Sequence, residues 1–202
     1  MAKTIVALAG SPKKRGATGM LMEAAVRGAK DSGADVEVIY ANNVDIKPCQ
    51  GNGHCLKLNG CIYQDDMVQF QDSFLTADGF IISSPVYFGS VTAQLKIIID
   101  RCQVFWAIKQ NSKTVPLGGK WRPLVFIATS GLDNKKGDRF DGSLEVIKNL
   151  GYALDFNIFQ TILVANTDQV PLLETSPEIA QAYRAGKLLG EKIFKEEDTP
   201  HK

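Results

Sequence analysis

The chain reads as a doubly wound α/β protein, a mainly parallel sheet with helices on both faces, and three observations predict it. Five short apolar runs alternate with five helix-like segments along the 202 residues. Most of those runs are continuously apolar, as strands buried on both faces must be, whereas Asp35–Tyr40 alternates at period two like an outer strand. The loops after the first, third and fourth runs are also unusual in composition. Open parallel sheets bind ligands outside the carboxyl ends of their strands, which is where those loops fall.

Each element has its own local reason. Thr4–Ala9 (TIVALA) is an apolar run closed by Gly10. A helix is expected over Thr18–Lys30, where Leu21, Met22, Ala25, Val26 and Ala29 fall at helical spacing and Thr18 is placed to cap the start. Met67, Phe70, Phe74 and Ala77 mark one face of a second helix. Phe80–Ser83 is the third strand, stopped by Pro85. One helix is expected to carry Leu95, Ile98, Ile99, Cys102, Phe105 and Trp106 in a stripe. Leu124–Ala128 is the fourth strand, and Phe140, Leu144, Ile147 and Leu150 mark a helix expected to end at Gly151. Ile158–Val164 holds the fifth strand. Ser176-Pro177-Glu178 starts the last helix, with a capping hydroxyl, a proline at the first position and an acid in the first turn. No repeat, low-complexity tract or linker interrupts the series, so one domain over residues 1–202 is expected, with a cysteine-containing loop at about 42–62.

Composition narrows the function. A chain of this length buries roughly 70% of its unfolded surface and needs no staples. The net charge is +1, which gives no reason to expect nucleic acid or an anionic membrane as partner. No apolar run reaches the ~20 residues of a membrane span, and no leader pattern precedes the first strand, so a cytoplasmic location is expected. Two histidines exclude a histidine-rich zinc site, and no nucleophile-elbow motif suggests a hydrolase.

Three loops carry the chemistry. Gly10–Thr18 (GSPKKRGAT) joins a strand to a helix and supplies hydroxyls, three cations and a helix N-terminus, the ingredients of an anion site. It is neither a Walker A loop nor a G-x-G-x-x-G turn, so it suits a terminal monophosphate better than a pyrophosphate. An ordinary βα turn with solubilising lysines is the alternative. Ser83–Ser90 (SSPVYFGS) places Tyr87 and Phe88 at a strand's carboxyl end, either as a platform beside a flat ring or as packing under the next helix. Thr129–Asn134 adds small polar residues and Gly131, which allow close approach of a ligand's polar edge.

Together, GSPKKRGAT, PCQGNGHCLKLNGCIYQDDM and ADGFIISSPVYFGSVTAQLKIIIDR resemble the NADPH-dependent FMN reductase group of flavodoxin-like proteins, and within it the iron–sulfur flavoproteins. The resemblance is detailed over roughly residues 3–131 and implies a flavodoxin-like, doubly wound sheet of five parallel strands. It implies that Ser11, Lys13, Gly16, Ala17 and Thr18 hold the phosphate of FMN, with Ala17 standing where the family often has Asn. It implies that Pro85, Val86, Tyr87, Phe88 and Gly89 line the isoalloxazine ring, with Ser130 and Gly131 flanking it. NAD(P)H would then pass hydride to the flavin, and a flavin, quinone, azo or nitro compound, or a redox protein, would take the electrons. No side chain need act as acid or base. A flavodoxin-type carrier without turnover, an iron–sulfur flavoprotein serving ferredoxin, and a flavin-free binding module are the competing expectations.

The iron–sulfur branch sets four cysteines as C-x2-C-x2-C-xn-C, and here the series runs Cys49, Asn52, Cys55 and Cys61. An amide is a poor iron ligand, so a full four-iron cluster is disfavoured. A three-cysteine cluster with an outside ligand, a loop of ordinary thiols capping the flavin site, and a redox disulfide stay open. His54 adjoins Cys55, and His201 sits in a polar tail. Cys102 lies on an apolar helix face as a core thiol. The apolar stretch Val104–Ile108 with Trp121, and the pairing of related proteins through the region after that helix, point to a homodimer or homotetramer.

Overall fold

A computed structural model describes residues 3–58, 60–111 and 121–195. Five strands, β1 (Thr4–Ala9), β2 (Asp35–Tyr40), β3 (Gly79–Pro85), β4 (Arg122–Thr129) and β5 (Phe156–Val164), form one sheet in the order β2-β1-β3-β4-β5. All four pairings are parallel. This is the flavodoxin-like order, whose switch point lies between β1 and β3. The outer-strand reading of Asp35–Tyr40 holds, since β2 is an edge.

Residue alternation along the strands divides the core in two. Ile5, Ala7 and Ala9 of β1, with Ile81, Val125 and Ile127, pack under α1 (Ala17–Asp31) and α7 (Pro177–Lys195). Val6, Leu8, Phe80, Ile82, Leu124 and Phe126 face the opposite layer. That layer comprises α3 (Met67–Thr76), α4 (Ala93–Arg101), α5 (Gln103–Asn111) and α6 (Asp141–Leu154). Phe74, Phe80 and Phe126 are fully buried there, each contributing about 1.5–3 kcal/mol relative to exposure. A short helix, α2 (His54–Leu58), interrupts the cysteine loop and has no counterpart in the periodicity reading.

Three expected boundaries shift. Helix α1 is capped by Gly16 rather than Thr18, because the Thr18 hydroxyl is used elsewhere, 2.6 Å from the Thr129 hydroxyl. The single helix expected through Cys102 is two. Cys102 N–H reaches back to both Ile98 and Ile99 carbonyls, and Phe105 N–H bonds Cys102 O at 3.0 Å, so the turn tightens and α5 starts on a new heading. Helix α6 runs past Gly151 and ends on Asp155 in the left-handed region (φ 50°, ψ 57°). Gly151 stays inside it because a Cβ there would meet Phe156 O at 2.6 Å.

Candidate functional site

The carboxyl ends of β1, β3 and β4 open on one side of the sheet, and backbone bonds between them fix the three loops against one another. Gly10 N–H donates to Ser83 O (2.8 Å), and Val86 N–H donates to Thr129 O (2.7 Å). Thr92 caps α4, and its buried hydroxyl donates to Gly10 O (2.7 Å). Ser84 Oγ in turn accepts from Thr92 N–H (3.0 Å).

In the β1 loop, Ser11 Oγ accepts from Lys13 N–H at 3.2 Å and donates to Lys13 O at 3.1 Å, shaping a tight hydroxyl turn. Gly16 starts α1 with no side-chain cap, and the first turn holds no acid, so its leading N–H groups and dipole are left for an anion. Gly19 permits the loop to fold back on the helix: a Cβ there would stand 1.8 Å from Lys14 O. Lys14 extends over the Tyr40 ring at 4.1 Å.

An open cleft of about 680 Å³ lies beside this loop cluster, lined by Val86, Tyr87, Phe88, Gly89, Ser130 and Gly131, with Leu132, Arg139 and Asp168. The volume is in the range of ligand sites. Tyr87 and Ser90 exchange two backbone hydrogen bonds, and the turn between them needs positive φ at Phe88 (50°) and Gly89 (77°). Phe88 is a fully exposed aromatic in a strained conformation. On the other wall, Ser130 N–H donates to Val164 O, and Thr167 donates back to Ser130 O through its backbone and its hydroxyl. Asp168 closes over Gly131, where a Cβ would meet its carboxylate at 2.2 Å.

The structure therefore gathers six of the sequence-derived residues, Val86–Gly89, Ser130 and Gly131, in one cleft. Ser11 and Lys13 line a neighbouring groove of about 280 Å³ between α1 and β2, together with Gly19, Tyr40 and Ser83. The Ser83 hydroxyl is buried and has no hydrogen-bond partner among the described residues. Pro85 ends β3, and Gly16, Ala17 and Thr18 form the entry of α1. None of these four lines either cavity. Thr92, Arg139 and Asp168 escaped the sequence reading as site residues. Thr92 had a legible signal as a hydroxyl before a helical stripe, whereas Arg139 and Asp168 reach the cleft only through tertiary placement.

The three loop cysteines line a separate cavity of about 210 Å³ with Tyr63, Arg101, Val104 and Trp106. Among the described residues no part of the cysteine loop lines the cleft beside Tyr87 and Phe88. Cys49 is exposed, Cys55 and Cys61 are half-buried, and all are unpaired thiols. Among the described residues no group of three or more His, Cys, Asp or Glu side chains is placed to hold a metal ion. Arg101 is buried and forks onto Asp65 at 2.5 and 3.1 Å. Burial alone would raise the Asp65 pKa. The Arg101 hydrogen bond, with N–H donors from Lys47 and Met67, outweighs it and holds the carboxyl below its ordinary 3.8. Arg101 itself is favoured as a cation despite its burial, through Asp65 and Cys61. Burial pushes the Cys102 thiol far up, which makes it an inert core group.

With this geometry in view, residues 4–147 match the family described as NADPH-dependent FMN reductase. The chain belongs to that family. It is 32% identical over 174 residues to an iron-sulfur flavoprotein of Archaeoglobus fulgidus, covering 84% of this chain and 80% of the relative. It is 34% identical over 97 residues to an iron-sulfur flavoprotein of Methanosarcina thermophila, covering 48% of this chain and 51% of that one. The match thus spans about half the length of that second relative. A solved flavone reductase superposes with a TM-score of 0.69 at 19% identity, over 98% of this chain and 66% of the other, which attests the fold. No described helix is long and apolar enough to cross a membrane.

Proposed function

We propose that the chain is an FMN-dependent reductase that takes electrons from NAD(P)H and delivers them to a small acceptor at the Tyr87–Phe88 cleft. The observation that carries this reading is the convergence of Val86–Gly89 and Ser130–Gly131 on one cleft at the carboxyl ends of the paired strands β3 and β4. The residues suit the cofactor. The uncapped, acid-free start of α1, with Ser11, Lys13, Gly16 and Thr18 around it, would hold the phosphate. Tyr87 and Phe88 would flank the ring and Ser130 and Gly131 its polar edge, with backbone donors set by the neighbouring strands. Bound FMN supplies two-electron chemistry with a nicotinamide donor. The chain supplies position: no described side chain at the cleft is needed as acid or base, and Phe88 shapes access from solvent. Trp106, Trp121 and Tyr152, exposed along α5 and α6, support a homo-oligomer. The region following α5, residues 112–120, lies outside the described residues, as does His201. A reducing cytoplasmic setting suits the unpaired thiols.

The test is anaerobic. The purified chain is loaded with FMN, followed by flavin fluorescence, and then mixed with NADPH or NADH. Stoichiometric binding and bleaching of the visible flavin bands support the reductase. Binding without bleaching by either nucleotide would make it a carrier, and failure to bind FMN would sink the reading altogether.

A further inference from the structure

The cysteine loop departs from the four-cysteine spacing that the resemblance to iron–sulfur flavoproteins implies. Its thiols stand at 49, 55 and 61, and position 52 holds an amide. That amide is engaged locally. Asn52 Oδ1 accepts the His54 backbone N–H at 3.1 Å, a short turn that begins α2. A neutral amide oxygen is also the wrong partner for iron that thiolates would otherwise hold.

The loop does not depend on a metal for closure. Metal-bound loops commonly draw their folding free energy from the ion. Here the two ends are joined by the chain's own groups: Asp66 accepts from Asp45 N–H (2.8 Å) and Asp65 from Lys47 N–H (3.0 Å). Arg101 ties both ends to α4, donating to Asp65 and to Lys47 O (2.9 Å). The ion pair within this closure is shielded from solvent, with side-chain exposures of 1% for Arg101 and 8% for Asp65. The cavity it encloses is walled by Leu56, Ile62, Val104 and Trp106 between the thiols. The donor set therefore does not fit a four-iron cluster.

We propose that this chain is a cluster-free member of its family, that Asn52 is the residue that denies it the cluster, and that the Arg101–Asp65 pair holds the emptied cradle in shape. The first two parts stand without the flavin reading. On that reading a further consequence holds: acceptors must come to the Tyr87–Phe88 cleft itself, because no metal relay leads away from it.

The full chain and its Asn52→Cys variant are purified anaerobically and reconstituted with ferrous iron and sulfide. Iron and acid-labile sulfide per chain are then assayed separately from flavin. The expected result is substoichiometric iron in the natural chain and about four iron atoms per chain in the variant, the complement of a four-thiolate site. Asn52→Ser, which keeps the short turn without adding a thiol, should bind no iron while matching the natural chain by circular dichroism. Stoichiometric iron and sulfide in the natural chain would overturn the proposal. A folded Asn52→Cys variant that stays empty would overturn the assignment to Asn52. Because flavin is measured independently, its absence would count against the reductase reading and leave the iron result intact.

Discussion

The two ends of the sheet use their polar groups differently. At the amino end the buried ions are paired inside the chain, although Arg122 Nε and one Asp155 carboxylate oxygen have no hydrogen-bond partner among the described residues. Lys3 pairs with Asp78 at 3.0 Å, and Asp78 also accepts from Thr4 N–H. Arg122, buried at the start of β4, donates to the Phe74 and Ala77 carbonyls at 2.8 Å and to Leu154 O, clamping the ends of α3 and α6. Lys109 reaches Asp155 beside it. At the carboxyl end, backbone bonds position the loops but leave functional groups over. The first turn of α1 is uncapped, the Ser83 hydroxyl is buried without a partner among the described residues, and Phe88 stands in solvent with positive φ. Buried ion pairs and arginine–carbonyl bonds mark the end that holds the fold together. An uncapped helix start and an exposed aromatic at positive φ mark the other end.

Substitutions break this contrast unequally. Arg122→Met should have the largest effect, a loss of about 3–5 kcal/mol in urea unfolding, because two helix ends lose their buried donor. FMN affinity of the fraction still folded should be unchanged; a selective loss of FMN binding with normal stability would reverse the assignment of the two ends. Gly19→Ala comes next, at about 1–3 kcal/mol, since the new Cβ meets the Lys14 backbone rather than a movable side chain. It should also weaken FMN binding in a fluorescence titration. Gly131→Ala offers the comparison, costing under about 1 kcal/mol because the exposed Asp168 carboxylate can swing aside.

Acid sharpens the picture at the cysteine loop. The Asp65 pKa is lowered in the folded chain, so the carboxylate's contribution is complete above its ordinary 3.8 and is lost as pH falls through the folded value. The Asp65 share of the urea midpoint should be intact down to about pH 4 and fall away below 3.8, and Asp65→Asn should flatten that part of the profile. An unchanged profile in the variant would dismiss the pair as the loop's clasp. The last effect is a gain. Phe88→Gly should stabilise by about 1 kcal/mol by relieving the positive φ, while raising KM for an acceptor that stacks on the ring.

The strands were legible because parallel strands buried on two faces write themselves as apolar runs; Thr4–Ala9 agrees residue for residue with β1. Loops at the carboxyl ends were legible because the composition of GSPKKRGAT and SSPVYFGS is abnormal for connectors. Helix ends were less so. Thr18 looks like a cap, but its hydroxyl meets Thr129, 111 residues away in the chain. Gly151 looks like a stop, but it is small because Phe156 O lies against it. In both cases a tertiary partner outbid the local preference.

By itself the sequence determined the parallel sheet, the unusual loops at its carboxyl end and the irregular cysteine spacing, because periodicity, glycine placement and composition are local properties. The tertiary structure alone decided that Arg139 and Asp168 complete the Tyr87–Phe88 cleft, that the cysteines line a different cavity, and that Arg101 and Asp65 pair beside it. Those facts depend on which distant residues meet, and such meetings are set by packing across the sheet rather than by any neighbour in the chain.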